Sequence, residues 1–479
     1  MSTNGDLPVA VIGAGPVGLA AASHLLERGL RVKLYEAGES VASHVRDWGH
    51  VRLFSPWQFN TDKAAMRLLR EAGWQEPPGD VLPTGQDLYD AYLKPLAETE
   101  AIRQVLETRA VVKAISRRGL DKVVTKDRER HPFALAVESD GRMRIDLARA
   151  VIDASGTWQN PNTLGASGLP AIGKPKHLAR IAYGIPDIIG ADRASYAGQR
   201  VLVIGGGHSA ASVLLDLANL ADADGSLRIT WALRAQSPAR VFGGGAADQL
   251  PARGKLGSDL RYLVETGRLT LVTRFGAESV DGTGRGVSVT GTDAAGPQTI
   301  GPFDRIIVAT GQRPDLAMTR ELRLDLDAWL ECPRALGPMI DPNLHSCGTV
   351  RPHGYKELSH PEPEYFTVGI KSYGRAPTFL MATGYEQVRS IAAHLAGDRT
   401  AADEVRLILP ETGVCATNLI PSSSEGCCGG PAPAGTDACC VADADAKAKG
   451  ARGCGCDSAG STPVVSAAKA KSCRTTAHP

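Results

Sequence analysis

The sequence predicts an α/β protein with two parallel sheets, because one pattern of strand, glycine loop and helix occurs twice in its 479 residues. In the first copy the apolar residues Val9–Ile12 read as a buried strand, loop 13–18 has G-x-G-x-x-G spacing, and an Ala- and Leu-rich helix follows. The second copy has strand Arg200–Ile204 and loop 205–210 with G-x-G-x-x-A spacing. Such loops bind a pyrophosphate at a helix N-terminus, so the chain is expected to hold two dinucleotides.

The first loop combines three glycines with an acid at the end of the next strand. Gly13 permits a tight turn, Gly15 lets a pyrophosphate approach the backbone, and Gly18 lets the helix pack close to the strand. Glu36 lies near the ~20-residue offset at which an acid accepts hydrogen bonds from an adenosine ribose. We predict that these residues and Pro16 bind the first cofactor; the alternative is an ordinary glycine-rich turn.

The second loop is followed by a basic residue where an acid would be expected. Gly205, Gly207, His208 and Ser209 form the predicted loop, and Arg234 ends the strand that follows its helix. An acid would repel a 2′-phosphate, whereas arginine binds one through charge-assisted hydrogen bonds. These five residues therefore predict an NADPH site rather than an NADH site. The alternative is that Arg234 is a solvated charge at the end of a strand and does not bind a phosphate.

The chain is predicted to return to the first unit after the second. Residues 303–309 read as a buried strand, and Thr310 and Gly311 follow it, so we expect both residues at the first cofactor. The aromatic segment 48–59 is expected either to pack in the core or to line a cofactor-ring pocket. The predicted division is a first cofactor domain over 1–195, a second over 196–302, a return segment over 303–420 and a flexible tail over 421–479.

Charge and hydropathy exclude several classes of partner. The net charge of +1 and the pI of 7.6 give no electrostatic basis for binding nucleic acid or membranes. No stretch approaches the ~20 apolar residues of a membrane span. The first strand begins within ten residues of Met1, which leaves no room for a signal peptide. We therefore expect a cytoplasmic protein, and a homodimer is left open.

The cysteines are concentrated near the C-terminus. None of the ten precedes Cys332, and eight lie between Cys415 and Cys473. Such clustering indicates thiols that bind a soft ion or exchange electrons, because a secreted disulfide framework would be spread through the fold. A metal or redox sink without a part in turnover is the alternative. The candidate soft-ion ligands are Cys427, Cys428, Cys439, Cys440, Cys454 and Cys456.

Cys347 is the candidate catalytic thiol. His345, Arg351 and His353 are its neighbours in sequence, and nearby cations would lower the pKa of the thiol and favour a thiolate near the first cofactor. The alternative is a buried cysteine that acts as a small apolar residue.

Over residues 7–400 the chain resembles glutathione-reductase-like flavoproteins with two Rossmann-like domains. The motifs D-A-S-G-T-W at 153–158 and A-T-G-Q-R-P-D at 309–315 are most similar to those of flavin-containing monooxygenases. The resemblance implies FAD at the first loop with Glu36, and NADPH at the second loop with Arg234.

Two family features are altered. Of the monooxygenase fingerprint F-x-G-x-x-x-H-x-x-x-F/W, Gly173 and His177 remain, but Ala171 and Ile181 occupy the aromatic positions. The acid that flavin-disulfide reductases place after their last FAD strand is missing, since Gly369 is followed by Ile370 and Lys371.

The cysteine pairs of the tail resemble the C-terminal ends of flavoproteins associated with arsenic-resistance operons. This resemblance implies oxidation of trivalent arsenicals, with NADPH, FAD and dioxygen. The alternatives are a flavin monooxygenase for an organic sulfur or nitrogen nucleophile, and a non-catalytic arsenic- or metal-binding protein. Disulfide reduction is disfavoured, because neither the first FAD segment nor the NADPH domain contains a cysteine.

Overall fold

The computed structural model describes residues 6–243, 245, 248, 250–293, 295–343, 352–376 and 379–407, and within them the chain forms two five-stranded parallel sheets and two three-stranded antiparallel sheets. The predicted α/β class with two Rossmann-like units is confirmed. None of the helices in this part of the chain is long and apolar enough to cross a membrane.

The strands and helices are numbered in chain order. The strands are β1 Val9–Ile12, β2 Val32–Tyr35, β3 Leu106–Glu107, β4 Ala110–Arg117, β5 Phe133–Ser139, β6 Arg142–Ala148, β7 Ala150–Asp153, β8 Ile181–Tyr183, β9 Arg200–Ile204, β10 Arg228–Ala232, β11 Thr270–Val272, β12 Gly276–Thr283, β13 Gly286–Asp293, β14 Gly296–Phe303, β15 Arg305–Val308 and β16 Tyr365–Thr367. The α-helices are α1 Pro16–Glu27, α2 Ser43–Asp47, α3 Lys63–Glu71, α4 Gly85–Leu88, α5 Lys94–Glu98, α6 Glu100–Arg103, α7 Arg193–Tyr196, α8 His208–Ala223, α9 Ala239–Phe242, α10 Pro251–Glu265, α11 Gly337–Ile340, α12 Met381–Leu395 and α13 Arg399–Asp403.

The first sheet has the strand order β16-β7-β1-β2-β3 and is covered on both faces. Successive residues of a strand point to opposite faces. Val9 and Val11 accordingly join the core that contains α1 and α12, while Ala10 and Ile12 join the core beneath the meander β4–β6. Burial on both faces explains why the strands are short, continuous apolar runs.

The second sheet has the order β11-β10-β9-β15-β8, and its membership corrects the predicted domain division. Ile306 of β15 pairs in parallel with Leu202 on one side and with Ile181 on the other. The strand predicted to return to the first sheet thus belongs to the second, and the boundaries at 195 and 303 both cut through that sheet. The return to the first sheet is made by β16, which pairs with β7.

A buried cluster of charges joins the meander β4–β6 to the segment that precedes β16. The Glu362 carboxylate, fully buried, accepts hydrogen bonds from Arg117 at 2.7 Å and from Arg128 at 2.8 Å. Burial alone would raise the pKa of Glu362, but the hydrogen bonds from Arg128 and Arg117, with a backbone N–H of Arg323, hold it below its usual value.

Glu362→Gln is expected to destabilise the protein by about 3–5 kcal/mol, because two buried guanidinium groups lose their counter-ion. Urea unfolding at pH 7 measures the loss. Since the folded pKa of Glu362 lies below its unfolded value of about 4.3, the wild-type advantage is present above that value and is lost as the pH falls through the folded pKa.

Glu27→Gln is the control, since Glu27 pairs with Arg67 at the surface and should contribute under about 1 kcal/mol. Equal losses for the two variants would contradict the assignment of the stability to the buried cluster.

Candidate functional site

The first glycine loop turns from β1 into α1 beside the end of β7. Gly13 has a φ of 93°, in the left-handed region that favours glycine. A Cβ atom on Gly13 would lie 2.7 Å from the Ala154 carbonyl oxygen, and one on Gly18 would lie 1.8 Å from the Gly13 carbonyl oxygen. Both separations are shorter than non-bonded atoms allow, so the fold itself requires glycine at these positions.

Gly15 differs, because neither its backbone nor its protein neighbours require glycine. Its φ of −78° and ψ of −173° suit any residue, and no heavy atom lies within 4 Å of the position that a Cβ atom would take. Helix α1 begins there with Pro16 in its first turn and without a side-chain cap. Its unpaired N–H groups and dipole would stabilise an anion in the open space.

Glu36 connects the end of β2 to this loop. Its buried carboxylate accepts hydrogen bonds from the backbone N–H of Ala14 at 2.8 Å, the N–H of Gly38 at 2.9 Å and the Ser43 hydroxyl at 2.9 Å. A carboxylate has about four acceptor positions, so about one remains. The predicted hydrogen bond from a ribose hydroxyl would use it.

The second loop repeats the geometry of the first. Gly205 has a φ of 149°, and its Cβ atom would lie 2.1 Å from the Ala309 carbonyl oxygen. Gly207 has an ordinary φ of −122° and no atom within 4 Å of its Cβ position, and α8 begins at His208 without a side-chain cap. The two loops therefore present equivalent open spaces at the starts of α1 and α8.

The family model of pyridine nucleotide-disulphide oxidoreductases matches residues 10–332, a span that includes both loops and Glu36. The chain belongs to the pyridine nucleotide-disulphide oxidoreductase family. It is an enzyme of the FAD- and NAD(P)H-dependent oxidoreductase class. No curated protein matches the sequence.

Solved structures share the fold of this oxidoreductase at low identity. The bacillithiol disulfide reductase of Bacillus cereus is 17% identical with a TM-score of 0.58, and the match covers 81% of this chain and 99% of the reductase. The cadaverine monooxygenase of Erwinia amylovora is 14% identical with a TM-score of 0.57, and the match covers 89% and 100% of the two chains. A variant of the flavin monooxygenase of Stenotrophomonas maltophilia is 22% identical with a TM-score of 0.50, covering 81% and 99%. The fold is thus common to reductases and monooxygenases.

The two open spaces suit the cofactors of the family. A Cβ atom at Gly15 or Gly207 would occupy the position where a pyrophosphate meets the helix N-terminus. The first loop with Glu36 would hold FAD, and the second loop would hold NAD(P)H. Bound FAD would accept electrons from NAD(P)H and pass them to a second substrate.

Thr310 and Gly311 lie beside the second loop, not in the first sheet as predicted, because they follow β15. The Asn162 side chain donates to the Thr310 carbonyl at 2.9 Å, and the Asn162 N–H donates to the Gly311 carbonyl at 2.9 Å. Asn162 belongs to the segment that leads from the first sheet to the second. The outgoing and returning connections therefore pair with each other, and an FAD contact of Thr310 or Gly311 stays a prediction.

Arg234 lies just beyond β10, where its exposed guanidinium group donates to the Ala166 carbonyl at 2.8 Å. Within the described ranges this bond uses one of the five N–H donors of the group. The other donors remain for a ligand beside the second loop. Ser209, in the first turn of α8, is half-buried.

An aromatic residue of the first unit contacts the start of α8. The Phe54 ring lies 5.4 Å from the His208 ring, and the Arg253 guanidinium lies 5.8 Å from the Phe54 ring. Arg253 is itself held by two hydrogen bonds of 2.7 Å to Asp248. Desolvation by the surrounding chain, and next the Arg253 cation, lower the pKa of His208 below its ordinary value. Trp57, in the same aromatic segment as Phe54, is buried, as the packing alternative predicts, and the lining of a cofactor-ring pocket by this segment stays a prediction.

One buried cluster beside the first loop was not recognised from the sequence. Lys371 lies 2.8 Å from the Asp153 carboxylate and donates to the Ser155 hydroxyl at 2.9 Å. Asp153 ends an apolar strand, and Lys371 replaces the expected acid after β16. The sequence signal that could have revealed this cluster was a charged residue at the end of each of the two strands β7 and β16.

The described chain brings no thiol to either loop. Cys332, the cysteine within the described ranges, is fully buried, and burial, with nearby Asp327, raises its pKa to about 12. Cys347 and the six candidate ligands of the tail lie outside the described residues. Among the described residues no group of three His, Cys, Asp or Glu side chains could hold a metal ion. His177 lies beside Gly282 of β12.

Gly15→Ala is expected to leave the fold intact and to weaken FAD binding about 10- to 100-fold, because the methyl group would overlap the pyrophosphate. Gly207→Ala should weaken NAD(P)H binding to a similar degree. Titration of the cofactor-free protein with each dinucleotide measures both effects.

Gly225→Ala is the matched control, since Gly225 also has open space at its Cβ position but lies outside both loops. If the Gly15→Ala protein bound FAD like wild type, the first loop would not be the FAD site.

Proposed function

We propose that this flavoprotein oxidises trivalent arsenicals, arsenite or methylarsenite, to the pentavalent state, with NADPH as electron donor and dioxygen as co-substrate. The observation that carries the proposal is the separation, along the sequence, of the paired thiols from the two dinucleotide loops. No cysteine precedes Cys332, whereas six cysteines occur in close pairs in the tail. This distribution suits a soft substrate that is bound by thiolates and oxidised at a flavin.

Disulfide reduction by a core dithiol is not supported by the thiols of the described fold. Such a reaction needs a thiolate, and the thiolate fraction is set by the pKa. With a pKa of about 12 the buried Cys332 stays protonated at pH 7. An oxygen-dependent reaction requires no protein thiol at the flavin.

The proposed reaction balances in atoms and electrons. NADPH and one proton supply two electrons and two hydrogens, one atom of dioxygen is transferred to the arsenic, and the other leaves as water. Arsenite is thereby oxidised from As(III) to As(V), and NADPH becomes NADP⁺. The nucleophile is the arsenic lone pair, so no acid–base pair of the protein is needed to activate it.

The tail would capture the arsenical. Two or three neighbouring thiolates can bind one As(III) with little loop-closure cost, and tethering raises the local concentration of arsenical at the flavin. The candidate ligands are Cys427, Cys428, Cys439, Cys440, Cys454 and Cys456.

A second candidate, oxygenation of an organic amine, is favoured by one cavity between the two units. The cavity has a volume of about 690 Å³, and four carboxylates and one guanidinium line it together with His50. Its net negative charge favours a cationic ligand. The charged lining residues are Arg46, Asp47, Asp87, Asp187 and Asp192.

The proposal is tested by NADPH oxidation with the full-length protein and a panel of arsenite, methylarsenite, a thioether and a diamine. We expect a yellow protein whose NADPH consumption rises with a trivalent arsenical and equals the pentavalent product formed. Stimulation by the amine or thioether alone would establish the second candidate or a related monooxygenase. A colourless protein that binds arsenic and ignores NADPH would establish a non-catalytic binding protein.

Comparison with a chain that ends at residue 420 tests the tail. We expect a higher KM for arsenite and an unchanged kcat, because the tail supplies capture and not chemistry. An unchanged rate at low arsenite would exclude the capture role and leave the oxidation in place.

Arg234→Ala is expected to raise the KM for NADPH about 10- to 100-fold and to leave that for NADH within about twofold, because a charge-assisted hydrogen bond to the 2′-phosphate is lost. Steady-state kinetics with both nucleotides measure the change. Arg228→Ala is the control, since Arg228 begins the strand that Arg234 follows. Equal loss with NADH would contradict 2′-phosphate recognition.

A further inference from the structure

Lys371 and Asp153 form a buried ion pair at the C-terminal edge of the first sheet. The Lys371 Nζ lies 2.8 Å from the Asp153 Oδ2, and the two side chains are 2% and 0% exposed. Asp153 ends β7, and Lys371 lies in the short 3-10 helix Gly369–Tyr373 that follows β16. The pair therefore connects the ends of two adjacent strands.

The hydrogen-bonding capacity of Asp153 is fully used inside the protein. Its carboxylate accepts from the Ser155 N–H at 3.1 Å, the Ser155 hydroxyl at 2.7 Å, the Tyr365 hydroxyl at 3.0 Å and Lys371. These four bonds match the roughly four acceptor positions of a carboxylate. Asp153 is thus saturated and has no capacity for a ligand.

The hydrogen-bonding capacity of the Lys371 ammonium group is not fully used. An ammonium group has three donors, and within the described chain the hydrogen bonds to Asp153 and to the Ser155 hydroxyl use two of them. A buried donor without a partner costs free energy. Ser155, which accepts from the ammonium group, and Ile370, which precedes Lys371 in the chain, are both exposed. The third N–H is therefore buried next to the exposed surface at Ser155.

The sheet order indicates which part of a dinucleotide would cover this surface. Glu36, the predicted ribose-binding residue, is at the end of β2, and the predicted pyrophosphate-binding loop is at the end of β1. In the order β16-β7-β1-β2-β3, a ligand that crosses the edge from β2 over β1 continues over β7 and β16. The half of FAD beyond the pyrophosphate is the riboflavin half, so it would lie over the ends of β7 and β16, where Asp153, Ser155 and Lys371 are found.

The Lys371 segment is hydrogen-bonded to α12 and lies beside α1. The Gly369 N–H donates to the Gln387 side-chain carbonyl at 2.8 Å, and the Gln387 amide donates to the Ser372 hydroxyl at 2.9 Å. Gly369 has a φ of 67°, and a Cβ atom there would lie 3.4 Å from Val17 of α1. The ammonium group therefore has a defined position relative to the first loop.

We propose that Lys371 binds the riboflavin half of FAD through its third N–H, and that Asp153 and Ser155 position the ammonium group for this bond. The proposal rests on the assignment of FAD to the first loop under the proposed function. Lys371 takes the place of the acid expected after the last strand of the first sheet, and Asp153 supplies its counter-charge from the neighbouring strand.

The test compares FAD with ADP, which contains the adenosine and pyrophosphate but no riboflavin. In titrations of the cofactor-free protein, Lys371→Met is expected to weaken FAD binding about tenfold or more and to leave ADP binding within about twofold. Lys371→Arg, which keeps the charge, should recover part of the FAD affinity. Arg117→Met breaks a buried ion pair remote in sequence from both loops and is the control, with FAD and ADP affinities unchanged in the folded fraction.

A wild-type measurement covers the case in which Lys371→Met does not fold. The ¹⁵N resonance of the buried Lys371 ammonium group should shift on addition of FAD and not on addition of ADP. Unchanged FAD affinity in Lys371→Met, equal weakening of FAD and ADP, or no FAD-specific shift would overturn the proposal. Failure of the wild-type protein to bind FAD at all would instead overturn the proposed function.

Discussion

Both cofactor loops depend on one steric constraint, the close approach of a strand-to-helix turn to the carbonyl group of the adjacent strand. Gly13 meets Ala154 in the first unit, and Gly205 meets Ala309 in the second; a Cβ atom at either glycine would overlap the alanine carbonyl oxygen. The contact brings the start of each helix to the carboxyl edge of its sheet. The uncapped N–H groups of α1 and α8 then face the open spaces at Gly15 and Gly207. Ligand binding and strand packing therefore depend on the same few backbone atoms.

The loops could be predicted because their information is local. A strand, a glycine loop and a helix are encoded within about thirty consecutive residues, and Glu36 lies within the same span. The sheet of β15 could not be predicted, because a buried parallel strand is apolar on both faces and carries no sign of its neighbours. The pairing of Lys371 with Asp153 joins residues 218 positions apart, and no periodicity links them. Sequence reasoning found the two strand ends but not their contact.

The position of β15 changes how the two units are joined. The chain leaves the first sheet after β7 and the second after β15, and Asn162 binds the backbone at Thr310 and Gly311 where these connections meet. The connections thus form a paired junction and not two independent linkers. Because Phe54 also contacts His208 across the units, the first unit contributes to the surroundings of the second loop. Electron transfer between two cofactors requires such a fixed geometry.

The distribution of charge and thiols argues for a division of labour within the chain. At the edge of the first sheet the acceptor positions of Asp153 are all used, whereas one N–H of Lys371 has no partner among the described residues. This arrangement suits a bound cofactor rather than a reacting substrate. The described fold contributes one thiol, buried and protonated at neutral pH. Within the described fold a soft nucleophile would therefore meet no competing thiolate, and under the proposed function the paired cysteines of the tail would exchange it between sulfur ligands. Under the proposed function, binding by sulfur and oxidation at the flavin would be separate steps, each on residues whose chemistry does not interfere with the other.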